Sequence, residues 1–143
     1  MNQAELAVRT PKRRSVMAPR DKAVADALRR AAKPLSAYEL IDLLKDEGVI
    51  APTTIYRSLR RLMRAGLAHR LESLNAFVLC NHACSGCTAV FAICDSCGTV
   101  AEFKAPDIGE RVDAWAQSTR FALSQTTIEL RGRCRHCATA GAA

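Results

Sequence analysis

Seven cysteines and three histidines are spread over 143 residues, and five of the cysteines fall inside "CNHACSGCTAVFAICDSC", residues 80 to 97. Cys94 and Cys97 form one C-x-x-C, and Cys134 and Cys137 form a second. Two residues between thiols let both sulfurs of a tight turn face a single ion, and Gly98 supplies permissive backbone directly after the first pair. Two such turns complete a tetrahedral four-sulfur site, the donor set of a structural zinc. The 36 residues between the pairs exceed common ribbon spacing, so their pairing is an expectation about the fold. It would pin a C-terminal strand to the hairpin that carries the first pair. A redox dithiol pair and an iron–sulfur site are the alternatives for the same residues.

His69, Cys80, His82, Cys84, Cys87 and His136 remain, along with Glu102 near the first cysteine turn. If "LAHRLES" and "AFVLC" pair as a hairpin about Leu74 and Asn75, His69 and Cys80 lie near each other at its open end. A metal bound there would fix the angle between the segment before Cys80 and the segment after it. The plainer alternative is a strand histidine and a small buried thiol.

The elements that must position these groups are legible in the spacing. Val24, Leu28 and Ala31 repeat at helical intervals after Asp21, and Pro34 closes that segment. Ser36 and Glu39 form an S-x-x-E capping box ahead of Leu40, Ile41, Leu43 and Leu44, with Gly48 suited to the helix end. A third helix starts near Pro52 and Thr53 and runs through Ile55, Leu59, Leu62 and Met63 to Gly66. Its other face carries Arg57, Arg60, Arg61 and Arg64, and no acidic residue occurs between Ala51 and Arg70. Three helices and a hairpin make a winged helix-turn-helix. Beyond Cys87, "AVFAI" and "TVAEF" flank the "CDSCG" turn as strands, and a helix runs from Asp107 to Ser118 with Ile108, Val112, Trp115 and Ala116 on one side. "TTIELRG" then alternates as a strand and ends at "CRHC". A core this small needs a metal, a partner subunit or both. The tail "ATAGAA" reads as disordered.

Charge divides the chain at the same place. Residues 1 to 80 carry 15 Lys+Arg against 8 Asp+Glu, whereas residues 81 to 143 carry 6 against 6, so the whole net charge of +7 lies in the first part. Residues 1 to 20 read as a basic arm. One basic module for a polyanion and one neutral, sulfur-rich module is the organisation this implies, the alternative being a solvated basic surface. The absence of an apolar run near the ~20 residues that span a bilayer, and of a hydrophobic leader, points to a cytoplasmic protein that does not enter a membrane. There thiols stay reduced, which favours metal ligation over a disulfide framework. Neither C-x-x-C is expected at the start of a helix in a βαβ unit, which weighs against a disulfide oxidoreductase. No Ser-His-Asp order, phosphate loop or carboxylate pair suggests an enzyme.

"SAYELIDLL", "PTTIYRSLRRLMRAGLAHRLES", "FVLC" and "CDSCG", in this order, resemble the ferric uptake regulator family of bacterial metal-dependent repressors, and most closely its zinc uptake regulator branch. "LSAYEL" together with "ESLNAFVLC" carries the likeness to the zinc branch. The resemblance implies an α+β protein: a basic arm and winged helix-turn-helix over residues 1–80, then a small α/β dimerisation domain over residues 81–143, with a hinge at about 80–88. It implies a homodimer on a palindromic, AT-rich DNA operator and two zinc ions per subunit. The structural ion falls on Cys94, Cys97, Cys134 and Cys137. The regulatory ion falls on His69, Cys80 and Glu102, with Cys87 where the family usually has histidine; Cys84 and His82 compete for that fourth place. "MAPR" stands where the family usually has Leu-Thr-Pro-x-Arg, and the histidine-rich segment of the iron and peroxide sensors is missing.

The expected function is a zinc-responsive repressor of zinc uptake genes, with zinc as co-repressor. A thiol-based redox repressor, or one that answers to another metal, is the alternative. In a helix-turn-helix the N-terminal end of the recognition helix enters the major groove. That end carries Thr53, Thr54, Tyr56 and Arg57. Arg57 suits a bidentate contact to guanine, and Thr54 and Tyr56 suit phosphate or thymine-methyl contacts. The resemblance adds Tyr38, and Arg60, Arg61 and Arg64 are phosphate partners or a solvated face.

Overall fold

The computed structural model describes residues 17–48, 51–80 and 88–141. Helix α1 (Pro19–Ala31) opens with proline in its first turn, where a missing N–H costs nothing, and buries Val24, Ala25, Ala27 and Leu28. The basic arm therefore ends earlier than expected, since Pro19 and Arg20 are already helical; residues 1–16 lie outside the described residues. Helix α2 (Ala37–Leu44) has the capping box in full: Ser36 Oγ accepts from Glu39 N, and the Glu39 carboxylate accepts from Ser36 N at 2.7 Å. Helix α3 (Pro52–Arg64) buries Ile55, Leu59 and Leu62, as their spacing predicts, and also Ser58.

Strands β1 (Ala68–Leu71) and β2 (Ala76–Leu79) pair antiparallel from Ala68↔Leu79 to Leu71↔Ala76. Between them lie a single 3₁₀ turn, Glu72–Leu74, and Asn75 at φ 45°, a left-handed position asparagine tolerates better than most residues. Phe77 also exchanges backbone hydrogen bonds with Leu35, which ties the wing to the loop ahead of α2. Val24, Leu28, Leu40, Leu44, Ile55, Leu59, Leu62 and Phe77 form one core at the centre of this winged helix.

The second part is a three-stranded sheet, β3 (Ala89–Cys94), β4 (Val100–Lys104) and β5 (Thr127–Gly132), in the order β4-β3-β5. β3 and β4 are antiparallel about the cysteine turn, whereas β5 returns parallel to β3 by way of helix α4 (Pro106–Thr119). Gly109 lets α4 run close to the start of β3, because a Cβ there would come within 2.8 Å of Thr88 Oγ1. One face of the sheet packs on the wing, where Leu71, Ala89, Phe91 and Ile93 form a second buried cluster flanked by Val78 and Val100.

Of Ile108, Val112, Trp115 and Ala116, which the spacing puts on one side of α4, only Ala116 is buried. Trp115 is 55 % exposed and makes a tilted ring contact with the equally exposed Phe121, and Ile108, Phe103, Leu123 and Leu130 are exposed as well. Among the described residues nothing covers this surface. The tail is also shorter than expected, because residues 138–140 belong to helix α5 (Arg135–Ala140). Cys134 caps that helix, its Sγ accepting from Cys137 N, so the second C-x-x-C does open a helix after a strand.

Candidate metal centres and nucleic-acid face

The parallel pairing of β3 and β5 puts their C-terminal ends side by side, with Cys94 opposite Gly132. Cys94 and Cys97 extend from the end of one strand, Cys134 and Cys137 from the end of the other. Their four Sγ atoms lie within 4.8 Å of one another. Tetrahedral ligation at the usual Zn–S length of ~2.3 Å puts sulfurs about 3.8 Å apart. Cys97 Sγ and Cys134 Sγ are 3.8 Å apart, so the thiols fit such an ion with little movement. Their acidities match a site meant for a cation. The N–H groups of Cys134 and then Cys97 hold the Cys94 thiol down at about 6, while the Cys134 and Cys97 sulfurs push Cys137 up to about 12. Four thiols this close do not all ionise without a positive charge among them. Arg131 ion-pairs with Asp95, and Asp95 N donates to Gly132 O at 2.8 Å, so the first cysteine turn is strapped to β5 from outside as well.

A second group of ligand-type residues lies where the wing meets the sheet. Phe91 is opposite Glu102 on one side and opposite Glu129 on the other, so the three side chains leave the same face of the sheet in one row. The His69 ring packs on Phe91 with centroids 5.4 Å apart. His69 is opposite Val78, and Cys80 extends the hairpin by donating its N–H to Leu67 O. His69 and Cys80 are therefore diagonal neighbours on one face of the wing. Cys80 Sγ donates to Glu102 Oε1 at 3.2 Å. Burial pushes the His69 imidazole below its ordinary pKa, against a smaller upward pull from Glu102. It is thus neutral at pH 7, the form that ligates metals.

The structure gathers His69, Cys80 and Glu102 at one junction without closing them into a cage: among the described residues, only the four thiols come within 4.8 Å of one another. Cys87, Cys84 and His82 lie outside the described residues. His136 sits exposed in α5 and takes no part in the junction.

On the opposite side of the winged helix, Tyr38, Tyr56 and Arg60 line one cleft together with Arg70 and Asn75 of the wing. Tyr38 is 76 % exposed, Arg57 is exposed, and Thr54 is half-buried. Among the described residues Arg57, Arg60 and Arg64 form no ion pair. Arg61 does. Its Nε and Nη2 donate to the two carboxylate oxygens of buried Asp21 at 2.8 and 2.7 Å, and Nη2 also reaches Ser58 Oγ. This pair holds the Asp21 carboxyl below its usual range. Arg61, half exposed, thus also braces α3 against α1, a role its place on the arginine face did not suggest. Arg70, bonded to Asn75 at 2.9 Å, was not singled out from sequence, and Asn75 was read only as a turn residue; only the wing turn brings them beside α3. Gln125, whose Nε2 lies 3.5 Å from His69 Nδ1, and Glu129, which accepts from Glu72 N, were missed because only the folded chain brings the β5 end of the sequence to the wing.

The sequence profile of the Ferric uptake regulator family matches residues 14–131. The Zinc uptake regulation protein of Escherichia coli is 37 % identical over 110 residues, which cover 72 % of this chain and 61 % of that protein. The alignment thus spans less than two thirds of that relative. The Ferric uptake regulation protein of Bordetella parapertussis is 33 % identical over 118 residues, or 80 % of this chain and 83 % of that one. Among solved structures, a zinc uptake regulator complexed with zinc and DNA superposes with a TM-score of 0.79 at 32 % identity, over 92 % of this chain and 89 % of that one. Holo XcZur does so at 0.76 and 37 %, over 86 % of each.

Proposed function

The chain belongs to the ferric uptake regulator family, and from that premise we propose that it is a zinc-responsive, DNA-binding repressor of zinc uptake genes rather than an enzyme. The observation that carries this reading is the junction itself. Neutral His69, the Cys80 thiol and the Glu102 carboxylate come from the wing, the linker and β4, and they meet around Phe91. The zinc-binding relatives support the choice of metal, as does a thiol–imidazole–carboxylate donor set, which favours zinc over manganese. We place the module boundary at Cys80 with a hinge over residues 80–88, two zinc ions in each subunit, and the protein in the cytoplasm. Among the described residues no helix is long and apolar enough to cross a membrane.

Zinc, when bound, would supply a Lewis-acid centre able to hold thiolate, imidazole and carboxylate together. Cys80 would ligate as the thiolate, His69 would offer a ring nitrogen fixed by its packing on Phe91, and Glu102 would anchor both to the sheet. Cys87 is the proposed fourth ligand, ahead of Cys84 and His82. Held at one point, these residues fix the wing against the sheet. The exposed face of Phe103, Ile108, Trp115, Phe121 and Leu130 pairs with a second copy, so two recognition helices reach two half-sites of a palindromic AT-rich operator together. Arg57 reads a base, while Thr54, Tyr56, Tyr38 and Arg60 contact phosphate or thymine methyl groups. A 100-fold gain in operator affinity corresponds to about 2.7 kcal/mol of differential binding, within reach of one such site.

The test is fluorescence anisotropy of an AT-rich palindromic operator under reducing conditions, with protein carrying one zinc per chain, titrated with buffered zinc and separately with manganese. Tight binding should appear as a second zinc fills, and Cys80→Ser should abolish it. Binding indifferent to zinc but lost on oxidation would replace this reading with a thiol-based one.

A further inference from the structure

We propose that Glu129 is a metal-independent latch between the wing and the sheet, a positioning residue that sets how much zinc the sensing site needs; the proposal rests on the zinc-sensing reading above. Glu129 lies on β5, more than fifty residues from the wing in sequence. Its carboxylate nevertheless accepts from the backbone N–H of Glu72 at 2.6 Å and of Ser73 at 3.2 Å. Those N–H groups open the 3₁₀ turn at the tip of the hairpin, where no preceding carbonyl is placed to receive them. Charged acceptors make the stronger class of hydrogen bond. Burial acts to raise the Glu129 pKa, but the bonds from Ser73 and Glu72 outweigh it and the carboxyl stays below its usual range. Glu72 does not oppose the contact, because its own carboxylate turns back to Arg70 at 3.4 Å.

Placement makes the contact a device for orientation. Glu102, Phe91 and Glu129 stand in one row across the sheet, so the two carboxylates are separated by two strand spacings, roughly 10 Å. Glu102 meets the wing at its open end through Cys80, and Glu129 meets it at the tip. Phe91 fills the space between and touches His69. One attachment would leave the wing free to pivot about it, whereas two on either side of a buried ring define an angle. The Glu102 attachment strengthens when metal binds, but the Glu129 attachment needs none. Glu129 therefore biases the metal-free chain toward the arrangement that zinc completes, and removing it makes zinc supply that bias as well.

The experiment uses the full-length chain loaded with one zinc at the four thiols, as wild type, Glu129→Ala and Glu129→Gln. Amide exchange is followed over residues 72–75 by mass spectrometry, and the free zinc at half-maximal operator binding by anisotropy. Glu129→Ala should raise exchange at 72–75 and raise the zinc midpoint by about tenfold, with exchange in α3 and the metal content of the four-thiol site unchanged. Glu129→Gln keeps the shape but turns one acceptor into a donor facing an N–H, and should fall between. If Glu129→Ala loses the four-thiol metal, it has misfolded and Glu129→Gln decides. Faster exchange with an unmoved midpoint overturns the proposal, since the contact is then structural only, and so does unchanged exchange at 72–75. A wild-type protein that ignores zinc would sink the sensing reading instead, and the exchange arm would still report on the contact.

Discussion

Replacing Phe91 by Leu separates packing from signalling. Phe91 is 1 % exposed and sits between the sheet and the wing, with His69 on its ring. The smaller side chain leaves a void on the order of 25 Å³, which at about 24 cal/mol per Å³ costs roughly 0.6 kcal/mol. It also loses the ring–ring contact with His69, about 0.5–1.5 kcal/mol. Thermal or urea unfolding should therefore report a loss of about 1–2 kcal/mol. The second contribution is special, because that contact exists only while the wing lies on the sheet. Loss of about 0.5–1.5 kcal/mol from the closed arrangement alone raises the zinc needed for half-maximal operator binding by about 2- to 13-fold. Leu59→Val is the control: Leu59 is equally buried, but in the winged-helix core, so it should lower stability and leave the zinc midpoint in place. A Phe91→Leu protein that is destabilised yet responds to zinc at the wild-type midpoint would refute the reasoning, as would a Leu59→Val protein with the same shift.

Other perturbations test other parts. Arg57→Ala should cost about 1–3 kcal/mol on the operator and flatten sequence preference, read by anisotropy on operator and random DNA. Arg60→Ala should reduce the slope of log affinity against log salt by about 1, whereas Arg61→Ala should leave it in place, because Asp21 already holds that guanidinium. Cys134→Ala should lower bound zinc by one per chain, counted by elemental analysis, and should also release the cap of α5, seen as faster exchange over residues 135–140. Metal-free protein should lose stability through His69 as pH falls. Its folded pKa lies below the ordinary 6.5, so its contribution is present above that value and disappears as pH drops through the folded pKa. Urea unfolding between pH 7.5 and 5 should show a steeper loss for wild type than for His69→Gln.

The winged helix was legible because its determinants are local. The Ser36–Glu39 box, Pro52 in a first turn and the Ile55, Leu59, Leu62 spacing each act within a turn or two of helix, and Asn75 marks the wing turn. The four thiols were legible for a different reason, since C-x-x-C restricts chemistry more than it restricts fold. Their meeting depends on β5 running parallel to β3, which no short-range pattern announces. The features that stayed hidden depend on pairs far apart in the chain. Asp21 takes Arg61 from the arginine face, Glu129 reaches the wing tip, and Arg70 joins Tyr56 across the cleft only after the hairpin folds back. The apolar side of α4 was visible as a pattern, but periodicity says that a face will be covered, not whether the cover belongs to the same chain.

The parallel β3–β5 pair also bears on how the molecule comes into being. Ala89 has to wait for Thr127, 38 positions later, to find its partner, while the winged helix closes its own core from residues already made. Contacts this distant are slow to form, and the loop they close carries an entropic penalty. β3 is the central strand, so until β5 arrives Phe91 and Ile93 lie on a two-stranded ribbon that holds only half of the thiols. Joining Cys134 and Cys137 to a metal already held by Cys94 and Cys97 turns that long search into a capture at high local concentration. During synthesis Cys134 and Cys137 thus emerge after the strands they lock, and a nascent chain truncated before Cys134 would present a finished winged helix attached to an open sheet.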